Sequence, residues 1–534
     1  MQMPAQTDLF RHMAQPAFYP HPAAAVTVID THISRVFLTG KYVYKVKKAL
    51  ALPFLDFRDL EDRRRYCEAE VSLNRRLSAE TYLGVTPIHR DAERITLTPK
   101  GPVVEYAVLM RQLAPETSLS HRLRHGQVGL DDMERLAQHL AAFHAAARRD
   151  ERITARGGWD IIGEHCRDNF RDAADARQPL SGDARFRAVA AVSEAFWQQH
   201  ENRFRRREAR GHICEGHGDL RCEHVYLRPR LQVIDCIDFS FDLRCGDVAA
   251  DLGFLLMDLD RHGAATLGHH LLRTYAALAQ DPEIYAVIDF YKCYRAMVRV
   301  KVNCLQLAAG DLGMHAARRL ERATEALLTW AYDYARRLNR PLLFVACGLP
   351  ASGKSTLARA LADVFDIPVC RSDVVRKELF GIPPAKSQVS AYEAGLYRPA
   401  VTNRIYARLL QEAYRRLKIG GSLILDAAYS DRRRRRGLLE LARQTRCGLV
   451  VIHCQCPRQV LEARLNRRRS GAQISDARTR HLEPLEAAFE PLDDLPAEIV
   501  ARVATDAPVA DNLLTILAHA HTSPWRQSVL RREG

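Results

Sequence analysis

Alternation of apolar and polar positions dominates the start of the chain. Val26-Thr27-Val28-Ile29, Arg35-Val36-Phe37-Leu38 and Tyr42-Val43-Tyr44-Lys45-Val46 read as strands, the last two joined by a turn at Thr39-Gly40-Lys41. The period then lengthens. Over 59–79, Leu60, Cys67, Val71 and Asn74 share one side of a helix, and Val103 through Met110 returns as a strand. Residues 131–149 place Leu136, Leu140, Phe143 and Ala147 at three- and four-residue spacing, with Asp131 and Asp132 suited to cap the start. His144 lies on or beside that apolar face and reads as a core histidine. Helices are expected over 186–207 and 264–336. Between them, 213–253 carries two short strand-like runs, Val225-Tyr226-Leu227 and Leu231-Gln232-Val233-Ile234.

Around Arg337-Leu338-Asn339-Arg340-Pro341 the helical pattern stops, and Leu342 through Cys347 is apolar at every position, as a strand buried on both faces must be. Strands and helices alternate from there. The pattern predicts an α/β chain of two domains, 1–338 and 339–534, the second built on a parallel sheet flanked by helices.

A chain of 534 residues exceeds one ordinary core, which agrees with that division, and 47% hydrophobic with 27% charged residues is a globular balance. Thirteen cysteines are scattered singly, a distribution that argues against a zinc site or a disulfide framework. Met1 to Pro22 has no basic segment followed by an apolar one, and no window approaches 18 uncharged apolar residues, so no membrane partner and a reducing cytoplasmic location are expected. The net charge of +15 is compatible with nucleic acid or an anionic nucleotide without choosing between them. The runs Arg205-Arg206-Arg207 and Arg432 through Arg436 carry no interleaved aromatics and read as solvated helix faces.

Chemistry enters with Gly348-Leu349-Pro350-Ala351-Ser352-Gly353-Lys354-Ser355-Thr356, placed where the buried strand hands over to a helix. Glycines at these spacings let the backbone curl around phosphate and aim its N–H groups at it, and the helix adds its positive end. Lys354 is placed to reach the outer phosphates of ATP, and Ser355 to offer a hydroxyl oxygen to Mg²⁺. A second short strand, Ile367-Pro368-Val369-Cys370, leads to Asp373 and, one turn on, Arg376. An acid at that edge can deprotonate an acceptor hydroxyl, and the arginine can clamp the acceptor. A third apolar strand ends at Asp426, the place of a carboxylate that binds Mg²⁺ through water. These residues resemble the P-loop kinases that include phage polynucleotide kinase, chloramphenicol phosphotransferase and zeta toxins. The resemblance implies Asp373 as base, Arg376 as acceptor clamp, and a lid helix with Arg464, Arg467 and Arg468, of which Arg464 and Arg468 share one face and are the expected pair.

In the N-terminal half, His217-Gly218-Asp219 is followed, after the two strand-like runs, by Asp235 and Asp238. Two acids flanking a hairpin suit phosphoryl transfer, one orienting a hydroxyl and the other holding metal on ATP phosphates. This half resembles the aminoglycoside phosphotransferase and protein-kinase-like group. The likeness implies Asp219 as base, Asp238 as the metal-binding acid with Asp235 as runner-up, and Lys45, with Lys47 as alternative, holding phosphates and paired with Glu70. His224 stands where that group places a metal-binding asparagine, which implies an altered second metal site, and no glycine-rich loop precedes Lys45. Together the halves resemble a fused bacterial family joining these two kinase types. The expected activity is ATP- and Mg²⁺-dependent transfer of phosphate to a hydroxyl, on a small molecule or a nucleic-acid end. A ligand-binding but catalytically silent N-terminal half that regulates the other is the alternative.

Overall fold

A computed structural model of the chain describes residues 4–52, 55–92, 94–177, 179–383, 394–467 and 478–523. It divides into two compact units, Met1–Glu164 with Arg207–Tyr275, and His165–Arg206 with Ala276–Gly534. The stretch around 338, where the sequence pattern changes, falls within the second unit.

The first unit is built on an antiparallel sheet of β1 (Thr27–Asp30), β2 (Ser34–Leu38), β3 (Tyr42–Lys47), β4 (Tyr82–Asp91), β5 (Arg94–Thr96) and β6 (Val103–Arg111), in the order β1-β2-β3-β6-β4-β5. Helix α1 (Leu60–Ser78) starts at Asp59, whose carboxylate accepts from the N–H groups of Glu61 and Asp62 and so caps it. The two-residue period of β3 sorts its side chains. Tyr44 and Val46 join Phe37, Ile88 and Ala107 in a core beneath the N-terminal helix residues Leu9, Phe10 and Met13. Val43 packs with Cys67 and Val71 of α1 on the opposite face. Lys45 and Lys47 therefore face α1, which meets them with Glu70, a buried acid between Cys67 and Val71 of the apolar contact, with Asn74 one turn on.

Helix α2 (Leu130–Ala146) buries Met133, Leu136, Leu140 and Phe143, and Asp132 accepts the Gly129 N–H at 3.2 Å. His144 is a core residue, its Nδ1 2.8 Å from the Tyr275 hydroxyl. The short runs expected after 224 form a hairpin of β7 (Val225–Tyr226) and β8 (Gln232–Val233). Helix α3 (Val248–Arg261) follows, buried along nearly its whole length.

The second unit collects the helices Ala184–Gln199, Ile288–Ala308 and Met314–Leu338 with a five-stranded parallel sheet. The helical span expected over 264–336 is interrupted twice. Pro282 cannot continue a helix and opens a 3₁₀ turn capped by Asp281, and Gly310, at φ +75°, ends the next helix. In the sheet, β9 (Leu342–Cys347) is central, between β11 (Leu423–Asp426) and β12 (Gly448–Gln455). The outer strands are β10 (Val369–Arg371) beside β11 and β13 (Val500–Ala504) beside β12. Helix α4 (Lys354–Phe365) leaves the carboxyl end of β9.

The arginine runs are not simply solvated faces. Arg207 is buried in a two-bonded pair with Asp247, at 2.6 and 2.8 Å. Arg435 is also buried, donating to Asp494 at 2.7 Å and to the carbonyls of Tyr429 and Pro491. A guanidinium presents five N–H groups in a fixed fork, so one residue of each run is held in the interior by several acceptors at once, and Arg206 and Arg434 beside them are ion-paired to Glu283 and Asp431. None of the thirteen cysteines forms a disulfide. No helix among the described residues is long and apolar enough to cross a membrane.

Candidate functional site

At the carboxyl end of β9 the backbone turns through Ala351 at φ +62° and Gly353 at φ +83°, then enters α4. A Cβ on Gly353 would meet the Thr505 side chain at 3.0 Å, so that turn needs glycine for space as well as for conformation. Lys354 lies over the loop, Nζ donating to the Leu349 carbonyl at 2.6 Å. Ser352 Oγ is buried and has no hydrogen-bond partner among the described residues. A buried hydroxyl left unpaired costs on the order of 1–3 kcal/mol, which an anion held by this loop would offset.

Parallel pairing of β9 with β11 sets Ala346 beside Asp426 and brings that acid to the loop, where Ser355 Oγ donates to its Oδ2 at 2.6 Å. Arg371, which the sequence reading passed over, completes the cluster: its Nε lies 3.1 Å from Asp426 Oδ2 and its Nη2 3.0 Å from Ser355 Oγ. The two oxygens are hard donors suited to Mg²⁺, and the guanidinium supplies positive charge at that point. Its only sequence signal was its place at the end of a strand directly before Ser372-Asp373.

Asp373 is half-buried in the first turn of the short helix Ser372–Glu378. Arg376 is buried and committed to the 396–402 segment, donating to the Leu396 carbonyl at 2.6 Å and lying 4.4 Å over the Tyr397 ring. Arg464 donates to the carbonyls of Ala351, at 3.2 Å, and Thr505, at 2.6 Å, and so fastens the phosphate loop to the end of β13. Arg468 lies outside the described residues. Arg467, the residue not favoured from helical spacing, lines a cavity of about 340 Å³ with Arg464, Ala351, Gly353, Thr356 and Asn512.

The first unit holds a second cluster. Lys47 is buried between Glu70, at 2.8 Å, and Asp238, which it also contacts. Lys45 reaches Glu70 and Asp235, each at 2.8 Å. Burial opposes charge on both lysines, but the facing acids prevail: Asp235 and Glu70 hold Lys45 well above the ordinary lysine range, and Asp238 and Glu70 hold Lys47 above it. Lys45 in turn pulls Asp235 far below the carboxylate range, whereas burial pushes Asp238 up. The lysine chosen from the sequence thus shares Glu70 with its alternative, and the more buried Lys47 meets the acid expected to bind metal.

The loop around Asp219 is set by α3. Asp251 accepts from the N–H groups of His217, at 2.7 Å, and Gly218, at 2.9 Å. Gly218 has φ +83°, and a Cβ there would meet Ile237 and the Leu243 carbonyl at 3.0 Å. His217 is fully buried. Its Nδ1 accepts from the Asp219 N–H, so its Nε2 carries the proton and donates to the Ile234 carbonyl at 3.0 Å. Asp219 is held by Arg221 through two bonds of 3.0 and 3.1 Å. His224 Nδ1 bonds the Asp219 carbonyl at 2.8 Å and Nε2 faces Arg221 at 3.2 Å, so a metal at His224 would compete with a guanidinium for that lone pair.

Burial lowers the His217 pKa from 6.5 to about 4. Between these values the unfolded chain binds a proton that the folded chain refuses, so the stability His217 contributes is complete above about pH 6.5 and is lost on acidification toward 4. The loss across that window is about 3 kcal/mol. Urea unfolding of His217→Gln, compared with the parent chain, should show a correspondingly shallower decline of stability between pH 6.5 and 4.

Comparison with known proteins bears on both units. The AAA domain family matches residues 343–492, spanning the phosphate loop, Asp373 and Asp426. The uncharacterized protein Rv2004c of Mycobacterium tuberculosis is 31% identical over 460 residues, covering 84% of this chain and 88% of its own length, and Mb2027c of Mycobacterium bovis matches to the same extent. The chain belongs to their family. The family resemblance extends through both units, since a match of that length cannot fit within either alone. Among solved structures, a choline/ethanolamine kinase family protein from Mesorhizobium loti aligns at TM-score 0.35 and 15% identity, covering 63% of this chain and all of that one. A gluconokinase from Sinorhizobium meliloti aligns at 0.26 and 19%, covering 34% and 94%.

Proposed function

We propose that the chain is an ATP-dependent phosphotransferase with two kinase-type sites, each passing a γ-phosphate to a hydroxyl. The observation that carries this reading is the phosphate loop itself: Gly348 to Ser355 at the end of the central strand, with the Ser355 hydroxyl on Asp426 and Lys354 over the backbone curl. ATP and Mg²⁺ would supply the transferable phosphoryl group and the cation that draws charge from it. The chain's own residues would do the rest. Loop amides and Lys354 bind the phosphates, Ser355 and Asp426 hold the cation once Arg371 gives way, and Asp373 takes the acceptor proton. The cavity beside Arg464 and Arg467 would receive the nucleoside. In the first unit, Lys45 and Lys47 would bind phosphate, Asp238 the cation, and Asp219 the acceptor hydroxyl.

A second reading has the first unit bind a ligand without transferring phosphate. It is favoured by two internal pairings, Lys47 on Asp238 and Arg221 on Asp219, which already neutralise the acids that transfer would use. Incubation of the full chain with γ-labelled ATP and pools of metabolites, aminoglycosides and oligonucleotides tests both readings. Label should enter a hydroxyl acceptor, and Asp219→Asn and Asp373→Asn should each remove a separate part of the transfer. Hydrolysis without labelled acceptor in any pool would sink the proposal. Full transfer by Asp219→Asn alongside none by Asp373→Asn would establish the second reading. Acceptors that bind with steep salt dependence would identify a nucleic-acid end.

A further inference from the structure

Apart from both sites, Cys222, Asp258 and His262 bring a sulfur, a carboxylate oxygen and a ring nitrogen all within 4.8 Å of one another. Cys222 belongs to the loop that follows Asp219. Asp258 lies on α3, and His262 caps that helix four residues later, its N–H still bonded to the Asp258 carbonyl. Positions four apart at the end of a helix share a face, and the loop packs its cysteine against that face. Cys222 and Asp258 are buried. The carboxylate is already oriented: Oδ2 accepts the Cys222 N–H at 3.0 Å, and Oδ1 accepts from Arg261 at 3.0 Å. Such outer hydrogen bonds hold ligating carboxylates in place at metal centres.

We propose that these three residues form a Zn²⁺ site, with Cys222 Sγ, Asp258 Oδ and the His262 ring as ligands and a water in the fourth position. Sulfur with imidazole nitrogen selects a borderline-soft ion over Mg²⁺ or Ca²⁺. Zinc bonds of roughly 2.0–2.3 Å in a tetrahedron put ligand atoms roughly 3.3–3.8 Å apart, so the three side chains, now within 4.8 Å of one another, would draw in on the ion. On binding, the Cys222 S–H bond breaks, its proton goes to solvent and its electron pair to the metal. Thiolate and carboxylate then balance the two positive charges. The ion would staple the loop bearing Asp219 to the helix whose Asp251 already positions His217 and Gly218. Cysteine spacing could not reveal the site, because its only cysteine meets its partners 36 and 40 residues away through the fold.

Cobalt is a spectroscopic stand-in for zinc. The full chain, stripped with chelator and titrated with Co²⁺, should bind one ion with a sulfur-to-cobalt charge-transfer band and the visible bands of a tetrahedral centre, displaced by Zn²⁺. Cys222→Ser should lose the charge-transfer band, His262→Ala should weaken binding at least about tenfold, and Cys456→Ser, at the chain's other half, should change neither. Absence of stoichiometric Co²⁺ binding overturns the proposal, as does a charge-transfer band that survives in a folded Cys222→Ser. If Cys222→Ser fails to fold, unchanged affinity in His262→Ala overturns it instead.

Discussion

Replacing Lys354 by alanine is expected to weaken ATP binding at the phosphate loop roughly 10- to 150-fold, the equivalent of about 1.5–3 kcal/mol for a charge-assisted hydrogen bond. Its ammonium sits over the loop on the Leu349 carbonyl, from which it can transfer to a phosphate oxygen without moving the backbone. Truncation leaves the loop intact, because Gly353 and the Arg464 bonds to Ala351 and Thr505 fix its shape independently. Lys354→Arg should not restore binding, since a planar fork does not replace a compact charge at the centre of a backbone curl. Calorimetric titration of the full chain measures the effect. If both units bind ATP, one component should vanish and the other persist. An isotherm in which every component survives Lys354→Ala would remove the phosphate-loop assignment.

The largest stability effect is expected at Lys47. This ammonium is buried against Glu70 and Asp238, and Lys47→Met would leave Asp238 without its partner in the interior. Removing one member of a buried ion pair costs about 3–5 kcal/mol, chiefly because the remaining charge is desolvated and unpaired. For a unit of this size the melting transition should fall by roughly 10 °C. Lys45→Met is the control. Its partner Asp235 lies at the solvent edge, and Lys47 still holds the buried Glu70 that Lys45 also reaches, so the expected loss is smaller, roughly 1–2 kcal/mol. Adding Asp238→Asn to Lys47→Met should recover part of the deficit, because the orphaned charge is gone. A Lys47→Met melting temperature no lower than that of the parent chain would show that the buried cluster does not hold this unit together.

Much of this molecule was legible in its sequence because the relevant signals are local. Period-two alternation announced β1 to β3 and placed Lys45 and Lys47 on one face, while the three-to-four spacing of Cys67, Val71 and Asn74 announced α1. The apolar run Leu342–Cys347, followed directly by glycines and Lys354, specified strand, loop and helix, since each part is fixed by its own residues. What only the tertiary structure decided are meetings between distant segments. Parallel pairing of β9 with β11, together with the placement of β10, brought Arg371 onto Ser355 and Asp426. The packing of α1 against β3 made one glutamate serve two lysines. Long-range ties also took Arg207 and Arg435 out of solvent, although their runs read as surface. Strand order and side-chain burial depend on the summed packing of many elements, whereas periodicity and turn chemistry are written in a few consecutive residues. The sequence by itself therefore determined which glycines, lysines and acids stand on which local elements, and the fold decided which charges face one another across them.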